Sequence, residues 1–510
     1  MRIASHLSVV RNDDENNIHS NPEGGRFSEG NRLISFADEF TTSVRSKDSQ
    51  HYLTFDETPH LAIPLEGPSS PAMQDIALRY MAESAKWAAG TAKALASDYF
   101  NAQCLKAPVT DVALRASYLN GIIYLDTCWP SNQVISVSPQ GLQIEETCPA
   151  VFVRNGVSAS LPQVPDASLP LTALLEYVRI PRTALPALVA CLVNAMLTHL
   201  PQPLMLIQGP AGTGKTTSLR LLLDLIDPTS SLAGGSLTDD ERTIRALSKV
   251  RRVMVFDNVS YVKGDASDLL AKITTGSELI TRALYQNSSP DVVQLKRPVI
   301  LNGIIDGFSR SDLASRTVAF NLQPVAKGDR KSEPELLEAW RHDLPMIFRG
   351  LLEMASRVLL ELPSMPTPET NFRNLDLVKI TSIVSGALGI EGLAHLEQSV
   401  ADLSGSVLGA SAMGQAFTSL VKCWNEANCV HQTYGEDSIE KAFDNPLTVD
   451  GLRGVLLSHI DISEHKNIPA LNKGFGEALK RIESDLASVL GMTVRKKRTS
   501  GNMTYTLEVS

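Results

Sequence analysis

The spacing of apolar residues changes period several times along the chain, and each change marks an expected element. Residues 1–50 are rich in Asn, Ser, Asp, Glu and Gly, with few apolar residues in any periodic arrangement, and are expected to be disordered. From Pro71 the period is helical. Met73, Ile76, Ala77, Tyr80, Trp87 and Ala88 share one face, Ser84 fills the gap, and Ser70-Pro71 opens the helix. Residues 112–154 then alternate with period two, as in IIYLDTCW and NQVISVS, with NG and PQG as turns, so this segment reads as a small β-rich element. Helical spacing returns after Pro162. The most apolar stretch, LPALVACLVNAMLTHLPQPL, is interrupted by Asn194 and His199 and bounded by prolines. It falls short of the roughly 20 residues of a membrane span and reads as a buried helix.

At Leu204 the pattern becomes chemically specific. The run LMLI reads as a buried strand and Thr216 to Ile226 as a helix stopped at Asp227-Pro228. Between them Gly209, Pro210, Ala211, Gly212, Thr213, Gly214, Lys215, Thr216 and Thr217 contain the spacing G-x-x-x-x-G-K-T. Backbone amides wrap a phosphate only where no Cβ intrudes, and the helix N-terminus adds partial positive charge. Lys215 would reach the β and γ phosphates of ATP, and Thr216 would offer its hydroxyl to Mg²⁺. The β-branched run VRRVMVFDN ends in Asp257, either a second Mg²⁺ ligand or an ordinary strand-end aspartate. PVILN ends in Asn302, able to orient water or sense the γ-phosphate, or simply to close a strand. Arg316, in DLASR before TVAFNL, is either an arginine finger for a neighbouring subunit or a surface ion-pair residue.

Beyond Leu322 the chain is largely helical up to a break at Pro363 to Pro368. Near the end, Phe475, Leu479, Ile482, Leu486 and Val489 give a helix one apolar face, and Gly491 ends it. MTVRKKR-TSGN-MTYTLEV then reads as a hairpin. Helix followed by basic hairpin suggests a winged helix, with Arg495, Lys496, Lys497 and Arg498 as candidate DNA-backbone contacts or as a solvated face.

Composition narrows this picture. Hydrophobic residues make up 43% and charged residues 20%, as in globular proteins, and the net charge of -9 requires any nucleic-acid contact to be local. Cys104, Cys128, Cys148, Cys191, Cys423 and Cys429 show no C-x-x-C pair and no zinc spacing, which suits a reducing cytoplasm. The opening MRIASHLSVVRNDDENN is too polar for a signal peptide, and no membrane partner is expected.

The order strand-loop, strand-Asp, hairpin, strand-Asn, Arg-strand resembles the AAA+ ATPases. The resemblance is to their superfamily-three branch, with the poxvirus-type and phage primase-helicases and the ATPases of phages and integrative elements. Its motifs fall on Asp257 and Asn258, Thr275 and Gly276, Arg282, Leu284 and Tyr285, Arg297 and Pro298, Leu301 to Ile304, Asp306, Arg310, Asp312, Leu313 and Arg316. It implies an α/β fold with an AAA+ P-loop core near residues 165–360, an N-terminal α+β accessory region at 51–164, a helical region at 361–445 and a winged-helix-like domain at 446–510. It also implies an ATP- and Mg²⁺-dependent DNA helicase of a mobile element, working as a homo-oligomeric ring such as a hexamer with Arg316 acting in trans.

Two departures keep a second reading open. Asn258 stands where the superfamily usually has a second acid, and an asparagine positions water but cannot accept its proton. The hairpin tip, NSSPD, brings no lysine, leaving Arg282 or Lys296 on the flanking strands to grip DNA or to serve the ring structurally. A nucleotide-gated switch with slow hydrolysis, in element maintenance or defence, fits the same residues. A small-molecule kinase would need a substrate lid that the sequence lacks, and no paired-carboxylate primase pattern is visible.

Overall fold

The computed structural model describes residues 26–230, 235–276, 278–282, 290–304, 311–324, 332–425, 443, 446–470, 472–499 and 502–509. Residues 1–25, the hairpin tip through Ser289, the motif positions Leu284, Tyr285, Asp306 and Arg310, Cys429 and the turn at 500–501 lie outside them.

Residues 26–50 fold, contrary to the expected disorder. They form α1 (Arg26–Asp38) and β1 (Thr41–Ser46). Leu33 and Ala37 are the fully buried apolar residues of α1, and Ile34 and Phe36 pack against the same core, a short apolar face within a segment otherwise rich in polar residues and Gly. The helix is held by close approach to Leu95: a Cβ on Gly30 would lie 2.6 Å from its side chain. β2 (His51–Phe55), β3 (Thr58–Pro64), α2 (Pro71–Ser84), α3 (Gly90–Lys106), β4 (Val109–Thr110) and β5 (Val112–Ala113) follow. Ser70 caps α2, its hydroxyl accepting from the Met73 amide. α2 stops at Ser84 because Ala85 turns left-handed (φ 55°), and Trp87, expected on its buried face, is 65% exposed.

β6 (Ala116–Leu119), β7 (Ile122–Asp126), β8 (Val134–Ser138) and β9 (Gly141–Glu145) form an antiparallel meander. Its first turn is Asn120-Gly121 with φ 52° and 84°, the pair of positive φ angles that a two-residue hairpin of matching twist requires. β10 (Val151–Val153) returns to the first sheet, whose order is β4-β1-β2-β3-β10-β5.

The central sheet comprises β11 (Leu204–Gln208), β12 (Met254–Val259), β15 (Val299–Gly303) and β16 (Thr317–Asn321), in the order β12-β15-β11-β16 and all parallel. Side chains alternate between two cores. Met205, Ile207, Ile300 and Phe320 enter one, with α4 (Leu174–Tyr177), α5 (Leu185–Met196), α6 (Lys215–Ile226), α10 (Glu333–Glu361) and α11 (Leu375–Leu388). Leu204, Leu206, Phe256 and Leu301 enter the other, with α7 (Glu241–Val250), α8 (Gly264–Thr275), α9 (Ser311–Ala314) and α12 (Leu393–Gly409). Burial on both faces makes these strands continuous apolar runs. Every residue of α5 is buried, and each of its leucines and valines contributes about 1.5–3 kcal/mol relative to exposure. Among the described residues, no helix is long and apolar enough to cross a membrane.

Between α8 and β15 lies a hairpin of β13 (Glu278–Arg282) and β14 (Pro290–Gln294). α12 passes from the second core into a C-terminal unit of α13 (Ala412–Asn425), β17 (Leu447–Thr448), α14 (Val449–Leu457), α15 (Asn472–Leu490), β18 (Met492–Thr499) and β19 (Asn502–Val509).

A buried polar knot ties the meander to the central sheet. Arg115, left-handed at φ 61°, donates to Asp227 Oδ1 (3.3 Å) and to the carbonyls of Asp126, Ala159 and Pro228. Asp227, just past α6, also accepts the amides of Arg252 and Val253, both at 3.0 Å. Burial pushes the neighbouring Asp126 carboxyl up, but hydrogen bonds and charge from Arg154, with Arg115 behind, outweigh it and hold the carboxyl below its ordinary value. Removing one partner of a buried pair strands the other's charge. Arg115→Ala should therefore cost about 3–5 kcal/mol, read as a lower denaturant midpoint; a midpoint equal to wild type would show that the knot carries no stability.

Candidate functional site

The loop between β11 and α6 depends on its glycines for two different reasons. Gly212 and Gly214 have φ of 78° and 81°, and a Cβ on either would meet nothing within 4 Å, so backbone conformation selects glycine there. Gly209 (φ 153°) has no room: a Cβ would lie 3.0 Å from the Leu322 carbonyl and 3.1 Å from Thr213 Oγ1. Thr213 Oγ1 donates to the Pro210 carbonyl at 2.9 Å, bracing the loop. Lys215, the first residue of α6, curls back so that Nζ donates to the Gly209 and Pro210 carbonyls at 2.9 and 3.1 Å. An ammonium and a helix N-terminus thus share one concave turn, the arrangement that suits an anion.

Beside it, three residues from three elements converge. Phe256 pairs with Leu301 and Val259 with Gly303, so Asp257 and Asn258 together oppose Asn302 in a β-bulge. The bulge turns the Asp257 carboxylate toward β15, where Asn302 Nδ2 donates to Asp257 Oδ1 at 2.7 Å and reaches Thr216 Oγ1 at 3.5 Å. Asn302 is 1% exposed, and its Oδ1 is a buried acceptor with no partner. The bulge requires close backbone approach. A Cβ on Gly303 would overlap the Val259 backbone, a constraint that no spacing in the sequence announces. Asn258 takes the left-handed conformation (φ 55°) that asparagine tolerates better than β-branched residues, and it is exposed, its amide accepted by Asp257 Oδ1 at 2.8 Å. The oxygen-only donor set of Thr216 and Asp257 is of the kind Mg²⁺ prefers.

Arg316 is not part of this cluster. It precedes β16, and because β16 runs parallel to β11 with Leu204 beside Thr317, it lies at the amino ends of the strands while the loop lies at their carboxyl ends. Five residues at about 3.3 Å each separate the two levels by roughly 17 Å. Arg316 Nε pairs with Asp312 at 3.3 Å, and Arg373, from the segment before α11, pairs with the same carboxylate. The Arg373 amide also donates to the Ser315 carbonyl at 3.2 Å.

The candidate nucleic-acid residues are dispersed. Arg282 ends β13 opposite Pro290. Lys296 Nζ donates to the His199 carbonyl at 2.7 Å, and burial, then the charges of Arg252 and Lys47, lower its pKa. The cluster of four cations on β18 divides between two faces, since a strand alternates. Lys496 and Arg498 share the side of the buried Val494, and Lys496 Nζ pairs with Glu483 of α15 at 2.7 Å. Arg495 and Lys497 are on the solvent side, Arg495 pairing with Glu508 at 2.9 Å.

No curated relative matches the sequence. Solved structures that the chain resembles distantly include the C-terminal region of NrS-1 (10% identity, covering 95% of this chain and 100% of that one, TM-score 0.44). Another is the SCCmec type IV Cch active helicase (11% identity, covering 92% and 93%, TM-score 0.43). Likenesses this distant carry no functional argument. The family match does not depend on them. Residues 171–406, which hold the glycine loop, Asp257, Asn302 and Arg316, match the model of the actinomycete integrative conjugative element replication protein, and over that segment this chain is similar to replication proteins of mobile elements.

Proposed function

We propose that the chain is an ATP-hydrolysing AAA+ motor of the superfamily-three helicase type, acting on DNA of an integrative element as an oligomeric ring. The observation that carries this reading is the Asn302 amide lying between Asp257 and Thr216, because it joins the ends of three elements beside a phosphate-shaped loop. In this reading the loop amides and Lys215 bind the β and γ phosphates. Mg²⁺, held by Thr216 and Asp257, would supply the charge that neutralises the phosphoryl oxygens. Asn302 keeps the carboxylate and hydroxyl in register and orients the attacking water. Asn302→Ala should lower kcat about 100-fold with nucleotide affinity largely retained, as for loss of one positioned polar group. Turnover within twofold of wild type would exclude the role.

The placement of Arg316 at the strand ends away from its own loop supports a function in a neighbouring subunit's site. Arg316→Ala should bind ATP normally yet lose turnover, whereas Lys215→Ala should lose binding, and mixing the two should restore part of the activity. Restoration requires that each variant damage a different side of a shared site. Mixtures as inactive as either variant alone, or a wild type that stays monomeric with ATP, would refute it.

The C-terminal helix and hairpin support a winged-helix module that touches the DNA backbone. Given the division of its charges, Arg495 and Lys497 are the pair that face a duplex together. Replacing both with Gln should flatten the salt dependence of duplex binding by about 1.8 in log–log slope, near 0.9 per phosphate contact, while Lys496→Gln should leave the slope unchanged. Equal slopes in all three proteins would reassign the hairpin to protein contacts.

Asn258 favours a second reading, a nucleotide-gated switch. It is exposed on the bulge and lacks a carboxylate to take a proton from water. ATPase assays with and without single-stranded DNA, beside mass measurements with nucleotide, separate the two: assembly without DNA-stimulated turnover selects the switch.

A further inference from the structure

Asp312, Arg316 and Arg373 set two guanidiniums against one carboxylate at the amino ends of the strands, so the trio keeps a net positive charge. The two pairs differ in quality. Arg316 reaches Asp312 at 3.3 Å through Nε and at 3.5 Å through Nη2, longer than the roughly 2.7–2.9 Å of a well-made charge-assisted bond. Arg373 Nη1 makes the closer contact, to the same Asp312 Oδ1 that Arg316 Nη2 approaches. The backbone around Arg373 is fixed on both sides. Phe372 is buried, and Asn374 caps α11, its side-chain oxygen accepting the Leu377 amide at 3.1 Å. The Arg373 amide donates to the Ser315 carbonyl at 3.2 Å, and Ser315 Oγ donates to the Asp312 carbonyl at 2.9 Å, which joins this segment to the end of α9. A well-anchored backbone thus presents a side chain that is 52% exposed, where a cation needs no acid to be hydrated.

We propose that Arg373 is a positioning residue for Arg316: by occupying the Asp312 carboxylate it leaves the Arg316 guanidinium free to turn to the γ-phosphate held by a second copy of this chain. The proposal rests on the reading of Arg316 as acting in trans. An arginine locked to an acid of its own chain has part of its charge cancelled, and that charge is what a phosphoryl group in transfer needs. With Arg373 on the acid, Arg316 can leave and Asp312 keeps a partner. Without it, Asp312 closes on Arg316 and the swing is opposed.

The test measures ATP turnover of the full chain under conditions where the wild type assembles, with ATP affinity and the denaturant midpoint beside it. Compared with wild type are Arg373→Gln, Arg373→Lys, Arg373→Gln combined with Asp312→Asn, and Arg316→Ala. Arg373→Gln should lower kcat about fivefold, the ratio set by an exposed ion pair at the upper end of its usual strength, with ATP affinity and midpoint unchanged. Arg373→Lys should turn over like wild type, because one contact to Oδ1 needs only a point charge. Adding Asp312→Asn to Arg373→Gln should restore wild-type kcat, since that carboxylate no longer holds Arg316. A merely structural Arg373, or one that itself touches the neighbour's phosphate, gives the opposite result, because losing Asp312 then repairs nothing. Wild-type kcat in Arg373→Gln, or a double variant as slow as Arg373→Gln alone, would overturn the role of Arg373, and an inactive Arg316→Ala beside it would leave the trans reading standing. Wild-type turnover in Arg316→Ala would overturn both.

Discussion

The requirement that the four-stranded parallel sheet be buried on both faces organises the rest of the molecule. Parallel strands cannot be joined by tight turns, so each crossover must supply a helix, and each helix must bring an apolar face. Met205 and Ile207 go to one core while Leu204 and Leu206 go to the other, so a single strand needs two sets of partners. α5 and α10 meet that need on one side and α8 and α12 on the other. The polar groups are then confined to the strand ends, since nowhere else along the sheet can they be hydrated or paired.

That confinement explains why the functional candidates cluster as they do. The glycine loop, Asp257 and Asn302 all emerge at carboxyl ends, where the bulge at Asp257-Asn258 moves a carboxylate sideways onto the Asn302 amide. Arg316, at an amino end, is directed away from them, tethered with Arg373 to Asp312. A chain built this way carries its candidate residues at opposite ends of one sheet.

The accessory region is attached by polar and not apolar contacts at one critical place. Arg115 reaches Asp227 at the end of the α6 helix that the glycine loop begins, so the meander and the loop helix share a buried carboxylate. At the other flank Trp340 of α10 donates to Asp224 of α6 at 2.9 Å, and burial, opposed by that bond, raises the Asp224 pKa. α6 is therefore clamped at its far end by both neighbours.

Local rules were enough to read the loop, the helix it opens, the Asn-Gly turn, the buried α5 and the apolar strands, because each depends on residue type and short-range period. The strand-end positions of Asp257 and Asn302 were legible for the same reason. Their convergence was not, since it depends on a bulge and on Gly303 admitting the Val259 backbone, a long-range contact without a sequence signature. The fold of residues 26–46 was not legible because the short apolar face of Leu33, Ile34, Phe36 and Ala37 is set among polar residues and Gly, and docking against α3 supplies what propensity lacks. Charge was the least legible property. The four cations of β18 read as one cluster but stand on two faces. Sequence alone determined which residues are candidates for chemistry and which segments are apolar. Only the tertiary structure decided which of them meet, because side-chain direction follows strand alternation, helical phase and backbone proximity, and these are set once the elements pack.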